Sequence, residues 1–252
     1  MGPGTGKTVA LFATCLNDVM FPSTPRAVVE VLERLGCRVV FPKKQSCCGQ
    51  MLTNSGYAKQ AVPLVRNYVD AFDGYDYVVG PSGSCVGAVR HQHAGLARRT
   101  GDGGLVRAAE DAAARTFDFS EFLVDVLGVE DVGAYFPHVV TYHPTCHSTR
   151  IAKVGDRPVR LLQAVKGLTL RELPHKEQCC GFGGTFSIKN PDVSVAMGND
   201  KALNAQSTGA EYLVTGDNAC LMHIGGIMHR NKAGVRPIHL AEILNHTEGA
   251  VR

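Results

Sequence analysis

Eight of the nine cysteines in this chain fall into two sets with the same order and nearly the same spacing. The first set is Cys15, the adjacent pair Cys47 and Cys48 followed by Gly49, and Cys85. The second is Cys146, the pair Cys179 and Cys180 followed by Gly181, and Cys220. Between the lone cysteine and the pair lie 31 residues in the first set and 32 in the second. Between the pair and the last cysteine lie 36 and 39. Chance does not readily place two Cys-Cys-Gly triplets so alike, so the chain reads as one module written twice.

Thiolates are soft ligands that favour zinc, copper(I) or iron–sulfur clusters. The first fifteen residues lack a signal-peptide pattern, so a cytoplasmic, thiol-reducing setting is expected and a disulfide framework is not. Four thiolates suffice for a structural zinc or for a four-iron cluster. Structural zinc usually draws on short C-x₂₋₄-C knuckles, and neither set contains one. Adjacent cysteines have Cα atoms about 3.8 Å apart and side chains that diverge, which suits the separate irons of a cluster better than one small ion. Gly49 and Gly181 permit a positive φ and close approach of the backbone to a bulky inorganic core. Gly183 and Gly184 extend that freedom in the second set and would turn N–H groups toward sulfur.

The expectation is one [4Fe–4S] cluster per copy, with Cys15, Cys47, Cys48 and Cys85 as metal ligands in one and Cys146, Cys179, Cys180 and Cys220 in the other. Two alternatives stay open. One is a zinc-stabilised scaffold, and the other is a thiol–disulfide oxidoreductase built on a vicinal pair. Cys37 has no counterpart in the second copy and reads as a small buried hydrophobe. His143, His147, His175 and His223 flank the second set and are expected to donate hydrogen bonds to sulfur rather than to ligate. Together with the extra glycines they would stabilise the reduced state, so the second centre is expected to accept an electron first.

These residues need elements to hold them. A strand-like run precedes each first cysteine, VALFATC and HVVTYHPTC, and a helical stretch follows each. Thr24-Pro25 looks like a helix start, and Gly36 and Gly167 like helix ends. A second strand, CRVVFP or LTLRELP, leads to each pair, and a helix runs over 58–72 or 193–208. A third strand, DYVVGPSGSC or EYLVTGDNAC, ends at each last cysteine. Thr100 to Leu105 reads as a loop. The pattern predicts an α/β fold of two tandem cysteine-rich units, residues 1–130 and 131–252, each a small parallel-sheet α/β layer and related by pseudo-two-fold symmetry. Strand ends in such sheets gather on one edge, where ligands bind.

Other chemistry is poorly supported. The opening GPGTGKT lacks the first glycine of a phosphate loop and leads into a strand instead of a helix. A net charge of +3 is too mild for nucleic acid. Arg90, Arg98, Arg99, Arg107 and Arg115 are interrupted by Asp102, Glu110 and Asp111, as on a solvated helical surface. No apolar run is long enough to span a bilayer. The Gly-rich dinucleotide fingerprint and the ferredoxin C-x₂-C-x₂-C-x₃-C-P run are both missing. That points to an electron-carrying subunit with no catalytic residue of its own.

The chain resembles the CCG-domain iron–sulfur proteins, and among them the lactate-utilisation iron–sulfur protein A group. The strings VALFATC, CCGQ, NSGY, GPSGSC, SEFLVDVLG, CCGFGGTFS, CLMHIGG and HLAEIL carry the resemblance over nearly the whole length. It implies an oxidoreductase component that acts with a ferredoxin-type iron–sulfur protein and a third component in oxidising L-lactate to pyruvate. The B subunit of heterodisulfide reductase and the iron–sulfur subunit of glycolate oxidase are more distant relatives. The fullest family motif ends each copy in C-x-x-C, and here Ser82 and Asp217 stand at the first of those positions. That departure argues against a five-cysteine cluster and disulfide-cleaving chemistry.

Overall fold

The computed structural model describes residues 2–249; Met1 and 250–252, the outer ends of the two expected units, lie outside it. In the first unit the chain runs β1 (Thr8–Leu11), α1 (Cys15–Met20), α2 (Ser23–Arg34), β2 (Arg38–Val40), α3 (Gln50–Asn54) and α4 (Ala58–Ala71). It continues as β3 (Tyr77–Gly80), α5 (Gly83–Arg98), α6 (Gly103–Ala114), β4 (Thr116–Asp118) and α7 (Phe119–Glu121), which opens into a wider turn over Phe122–Val126. The second unit repeats this order as β5 (Val139–Tyr142), α8 (Cys146–Arg150), α9 (Arg157–Ala164), β6 (Thr169–Arg171), α10 (Thr185–Lys189) and α11 (Pro191–Ser207). It closes with β7 (Tyr212–Thr215), α12 (Asn218–Arg230), β8 (Arg236–His239) and α13 (Leu240–Asn245).

Each unit forms a four-stranded sheet, ordered β2-β1-β3-β4 and β6-β5-β7-β8. Every pairing is parallel. Strand order therefore reverses between β1 and β3, and likewise between β5 and β7. At such a switch point the connections leave in opposite directions and open a crevice beyond the strand ends. Cys15 and Cys85 flank the first crevice, and Cys146 and Cys220 the second.

The central strands are short apolar runs with both faces covered, as parallel sheets require. One face of each sheet meets a core shared by the whole molecule. That core joins Val28, Val31 and Leu32 of α2 and Phe119, Phe122 and Leu123 around α7 to Leu161 and Leu162 of α9 and Ile243 and Leu244 of α13. The outer face of the first sheet is covered by α4, α5 and α6, and that of the second by α11 and α12. Contacts across the halves are reciprocal. Helix α2 meets α13 while α9 meets α7, and α1 meets α12 while α8 meets α5. Equivalent elements exchanging the same contacts is the mark of an approximate two-fold relation.

Two sequence expectations shift. Helix α2 begins at Ser23, and Thr24 caps nothing. Its buried hydroxyl accepts from Asn218 Nδ2 at 2.9 Å and donates to Glu242 Oε1 at 2.9 Å, so the residue serves the joint between halves. The expected loop at 100–105 is a turn only over 100–102, and α6 begins at Gly103, with Asp102 accepting from the Leu105 N–H at 3.0 Å. Helix α6 is an addition to the first unit, because the second passes from α12 straight to β8. The GPGTGKT segment forms a turn against the end of α2, with the Gly4 N–H donating to Leu35 O at 2.9 Å.

Candidate metal centre

Each first cysteine opens a short helix, and each last cysteine sits in the first turn of a longer one. The pairs lie in the segments after β2 and β6. These arrangements bring all eight cysteines to the lining of one cavity of about 400 Å³ between the units. Cys37 is not among them. It is buried in the shared core, with its sulfur against Gly4.

Within each quartet the thiols form a chain of contacts, Cys15 to Cys47 to Cys48 to Cys85 and Cys146 to Cys179 to Cys180 to Cys220. Four such thiols cannot all ionise together. Hydrogen bonds from Cys15 and Cys48 favour a thiolate at Cys47 and push its pKa down, while those neighbours, as donors and as buried groups, are pushed up. Cys179 is lowered by Cys146 and Cys180 in the same way, and both of those are raised. The Gly49 N–H points at Cys47 Sγ at 3.4 Å, and the Gly181 N–H at Cys179 Sγ at 3.4 Å. The Cys180 thiol donates to Cys220 Sγ at 3.1 Å.

Zinc–thiolate bonds of about 2.3 Å in a tetrahedron put sulfurs roughly 3.8 Å apart in every pair. Among the described residues, no three thiols of one quartet lie within 4.8 Å of one another; the compact group is His143, Cys180 and Cys220. Four soft donors with N–H groups directed at sulfur suit a metal or iron–sulfur cofactor.

All four glycines adopt positive φ, +82° at Gly49, +90° at Gly181, +52° at Gly183 and +61° at Gly184. Gly183 and Gly184 line the cavity, whereas Gly49 and Gly181 do not. At Gly181 a Cβ would meet Ser194 O at 2.6 Å, so close packing on α11 adds to the conformational demand. The histidines divide. His143 is fully buried beside Cys180 and Cys220, and burial and then Lys201 lower its pKa to about 3. His147 Nδ1 lies 3.6 Å from Cys146 Sγ. His223 turns to Ser194 O at 3.1 Å. His175 is exposed and offers only its carbonyl, to Lys201 Nζ at 2.6 Å.

Ser82 and Asp217 meet each other across the halves. Ser82 Oγ donates to Asp217 Oδ2 at 3.2 Å, and the Ser84 N–H reaches the same oxygen at 2.9 Å. Each caps the helix that carries its unit's last cysteine, α5 or α12. Close by, Gly83 leaves no room for a side chain against Ser148, and Asn218 bonds Asn17 Oδ1 at 2.9 Å.

Two buried groups near the quartets were not anticipated from sequence. His93 bonds Cys48 O through Nε2 at 2.9 Å. Lys201 is 1 % exposed inside α11. Neither repeats, since the residues that match them in the other copy are of different types, and repetition was the strongest signal in the sequence.

Two parallel-sheet layers with a cysteine quartet at each switch point define a tandem cysteine-rich protein, and the sequence profile of that domain matches residues 9–90 and 140–225. The chain belongs to this CCG cysteine-rich family. Within it the chain belongs with the lactate utilization protein A group. It is 49 % identical to lactate utilization protein A of Oceanobacillus iheyensis over 96 % of this chain and 99 % of that one. It is 47 % identical to lactate utilization protein A of an Exiguobacterium species, over 94 % and 96 %. Among solved structures, a hypothetical protein from Helicobacter pylori superposes with a TM-score of 0.59 at 10 % identity, covering 96 % of this chain and 49 % of that one. That likeness concerns the fold alone.

Proposed function

We propose that this protein is the iron–sulfur electron-transfer component of a system that oxidises L-lactate to pyruvate, working with further components of that system in the cytoplasm. The observation that carries this reading is the pair of equivalent thiol quartets facing one cavity. Cys15, Cys47, Cys48 and Cys85 would hold one [4Fe–4S] cluster, and Cys146, Cys179, Cys180 and Cys220 the other. Such clusters supply one-electron transfer at potentials set by the surrounding hydrogen bonds and burial. The names of the 49 % and 47 % identical relatives supply the lactate context.

The chain's own residues have clear parts in this reading. Gly49 and Gly181 direct N–H groups at thiolates and so favour added negative charge there. Burial of Cys48, Cys180 and Cys220 excludes water from the inner side of each quartet. Asp217 is an acid on the cavity wall, and no lysine or arginine lines it. A wall of that charge does not suit the carboxylate of a 2-hydroxy acid, which favours electron relay here over substrate oxidation. Val19, Met20 and Met51 line the mouth yet remain exposed, giving an apolar rim of the kind that meets protein partners. No helix among the described residues is long and apolar enough to cross a membrane.

Metal and sulfide analysis of anaerobically purified protein, with its visible spectrum, tests this. The expected result is about eight irons and eight acid-labile sulfides per chain, with broad brown absorption, following from four thiolates per four-iron cluster. Colourless protein with zinc would establish the scaffold alternative. Protein with neither metal, but with a dithiol that cycles at Cys47–Cys48 or Cys179–Cys180, would establish the thiol–disulfide alternative.

A further inference from the structure

The two units carry the same thiols but bury different residues beside them. Three positions before the first cysteine, past β1, stands Phe12, fully buried with its ring edge-on to Tyr68 at 5.1 Å and Phe72 at 5.5 Å. The equivalent position past β5 is His143, also fully buried. Neither of its ring nitrogens has a hydrogen-bond partner. One lies within 4.8 Å of the sulfurs of both Cys180 and Cys220. A buried polar group with no partner calls for a specific explanation, and an unfilled acceptor beside it is one. Lys201 stands within electrostatic reach of His143 and of the Cys179, Cys180 and Cys220 sulfurs, its Nζ bonded to His175 O at 2.6 Å. The first unit's buried imidazole, His93, bonds Cys48 O through Nε2 and leaves Nδ1 unpartnered, but among the described residues it has no place in a compact group with that unit's sulfurs.

We propose that His143 donates an N–H hydrogen bond to the sulfur side of the second unit's centre, and that with Lys201 behind it this makes the second centre the higher in potential and the first to be reduced. The inference rests on the iron–sulfur reading and deepens it. Neutral or protonated, the ring carries at least one N–H, so its charge state does not decide the outcome. A donor and a buried cation both favour the more negative, reduced form. In the first unit Phe12 offers neither. This narrows the expected asymmetry from four histidines to two, His143 and His147, because His223 and His175 face elsewhere, and of the two only His143 is fully buried.

The test uses the full chain with its metal, in an EPR-monitored redox titration of wild type, His143→Phe, His143→Gln and Lys201→Met. Cys48→Ser and Cys180→Ser identify the two signals. In His143→Phe, which restores the first unit's residue, iron and sulfide should stay at the wild-type level. At the wild-type upper midpoint its reduced-to-oxidised ratio should fall about tenfold, the worth of one hydrogen bond to a charged acceptor. The lower midpoint should not move. His143→Gln, which keeps an N–H, should lose less, and Lys201→Met should shift the same signal in the same direction. Unchanged midpoints in an iron-replete His143→Phe overturn the proposal and leave the iron–sulfur reading intact. A shift in the signal that Cys48→Ser abolishes overturns the assignment. Loss of about half the iron from both His143 variants makes the residue a ligand and also overturns it. Wild-type protein without iron removes the reading beneath it.

Discussion

A cysteine's fate in this chain depends on whether it follows a strand at the crevice edge or precedes one. Cys15, Cys47, Cys48 and Cys85 all come after strands of the first sheet and reach the cavity, as their counterparts do in the second. Cys37 comes just before β2, at the opposite edge, and packs into the shared core. The lack of a counterpart in the second copy already separated it from the rest. Cys37→Ala should therefore leave iron content at the wild-type level and cost about 1–2 kcal/mol, as small buried truncations do. Iron analysis and denaturant unfolding check both parts, and a variant short by one cluster's iron would show that Cys37 ligates. The residues that sequence did not disclose are those outside the repeat. Lys201 reads as one more charge on a helix, and only its position on the inward face of α11 buries it. His143 was visible as one of four histidines, but its buried position beside the Cys180 and Cys220 sulfurs depends on what packs around it.

Elements were more legible than their boundaries. The alternation of strand and helix fixed the parallel layers, and α4 and α11 fall within two residues of the stretches expected for them. Thr24 misled because its pairing with Pro25 has the chemistry of a helix start, yet Asn218 and Glu242 of the other unit claim its hydroxyl. Gly103 and Gly104 misled because Asp102 can start a helix through them. The glycine after each cysteine pair was predicted from conformational need, which both copies show. The second copy adds a steric need invisible in sequence. Gly49→Ala would pay for its positive φ alone, about 1–2 kcal/mol, since its nearest new neighbour is Leu64 Cδ1 at 3.4 Å. Gly181→Ala would also press on Ser194 O at 2.6 Å and Met197 Cβ at 2.9 Å. Overpacking of that kind adds about 1–3 kcal/mol. Denaturant unfolding should rank Gly181→Ala clearly below Gly49→Ala, and equal losses would refute the steric part of this account.

At the scale of the molecule, two copies in the sequence do not make two cores. Val9, Leu11 and Val79 of the first sheet and Val140 and Val214 of the second belong to one buried cluster, bridged by α2, α7, α9 and α13. The polar joint of Asn17, Thr24 and Asn218 is buried in the same contact between halves. Separating the units would expose the inner face of both sheets at once, so neither has a complete apolar core by itself. Unfolding should then be a single cooperative event despite the repeat. Leu244 offers a test, since it is fully buried on α13, the helix that packs against α2 of the first unit. Leu244→Ala should cost about 2–5 kcal/mol, the range for a large-to-small change in a core. Because the core is common, that loss should move the unfolding of the first unit as much as the second. Hydrogen exchange at the strands of each unit, followed through the same denaturant series, reports on the two halves separately. Coincident transitions that shift together in Leu244→Ala are the expected result. A first-unit transition that stays at its wild-type midpoint while the second moves would mean that the halves fold independently and only rest against each other.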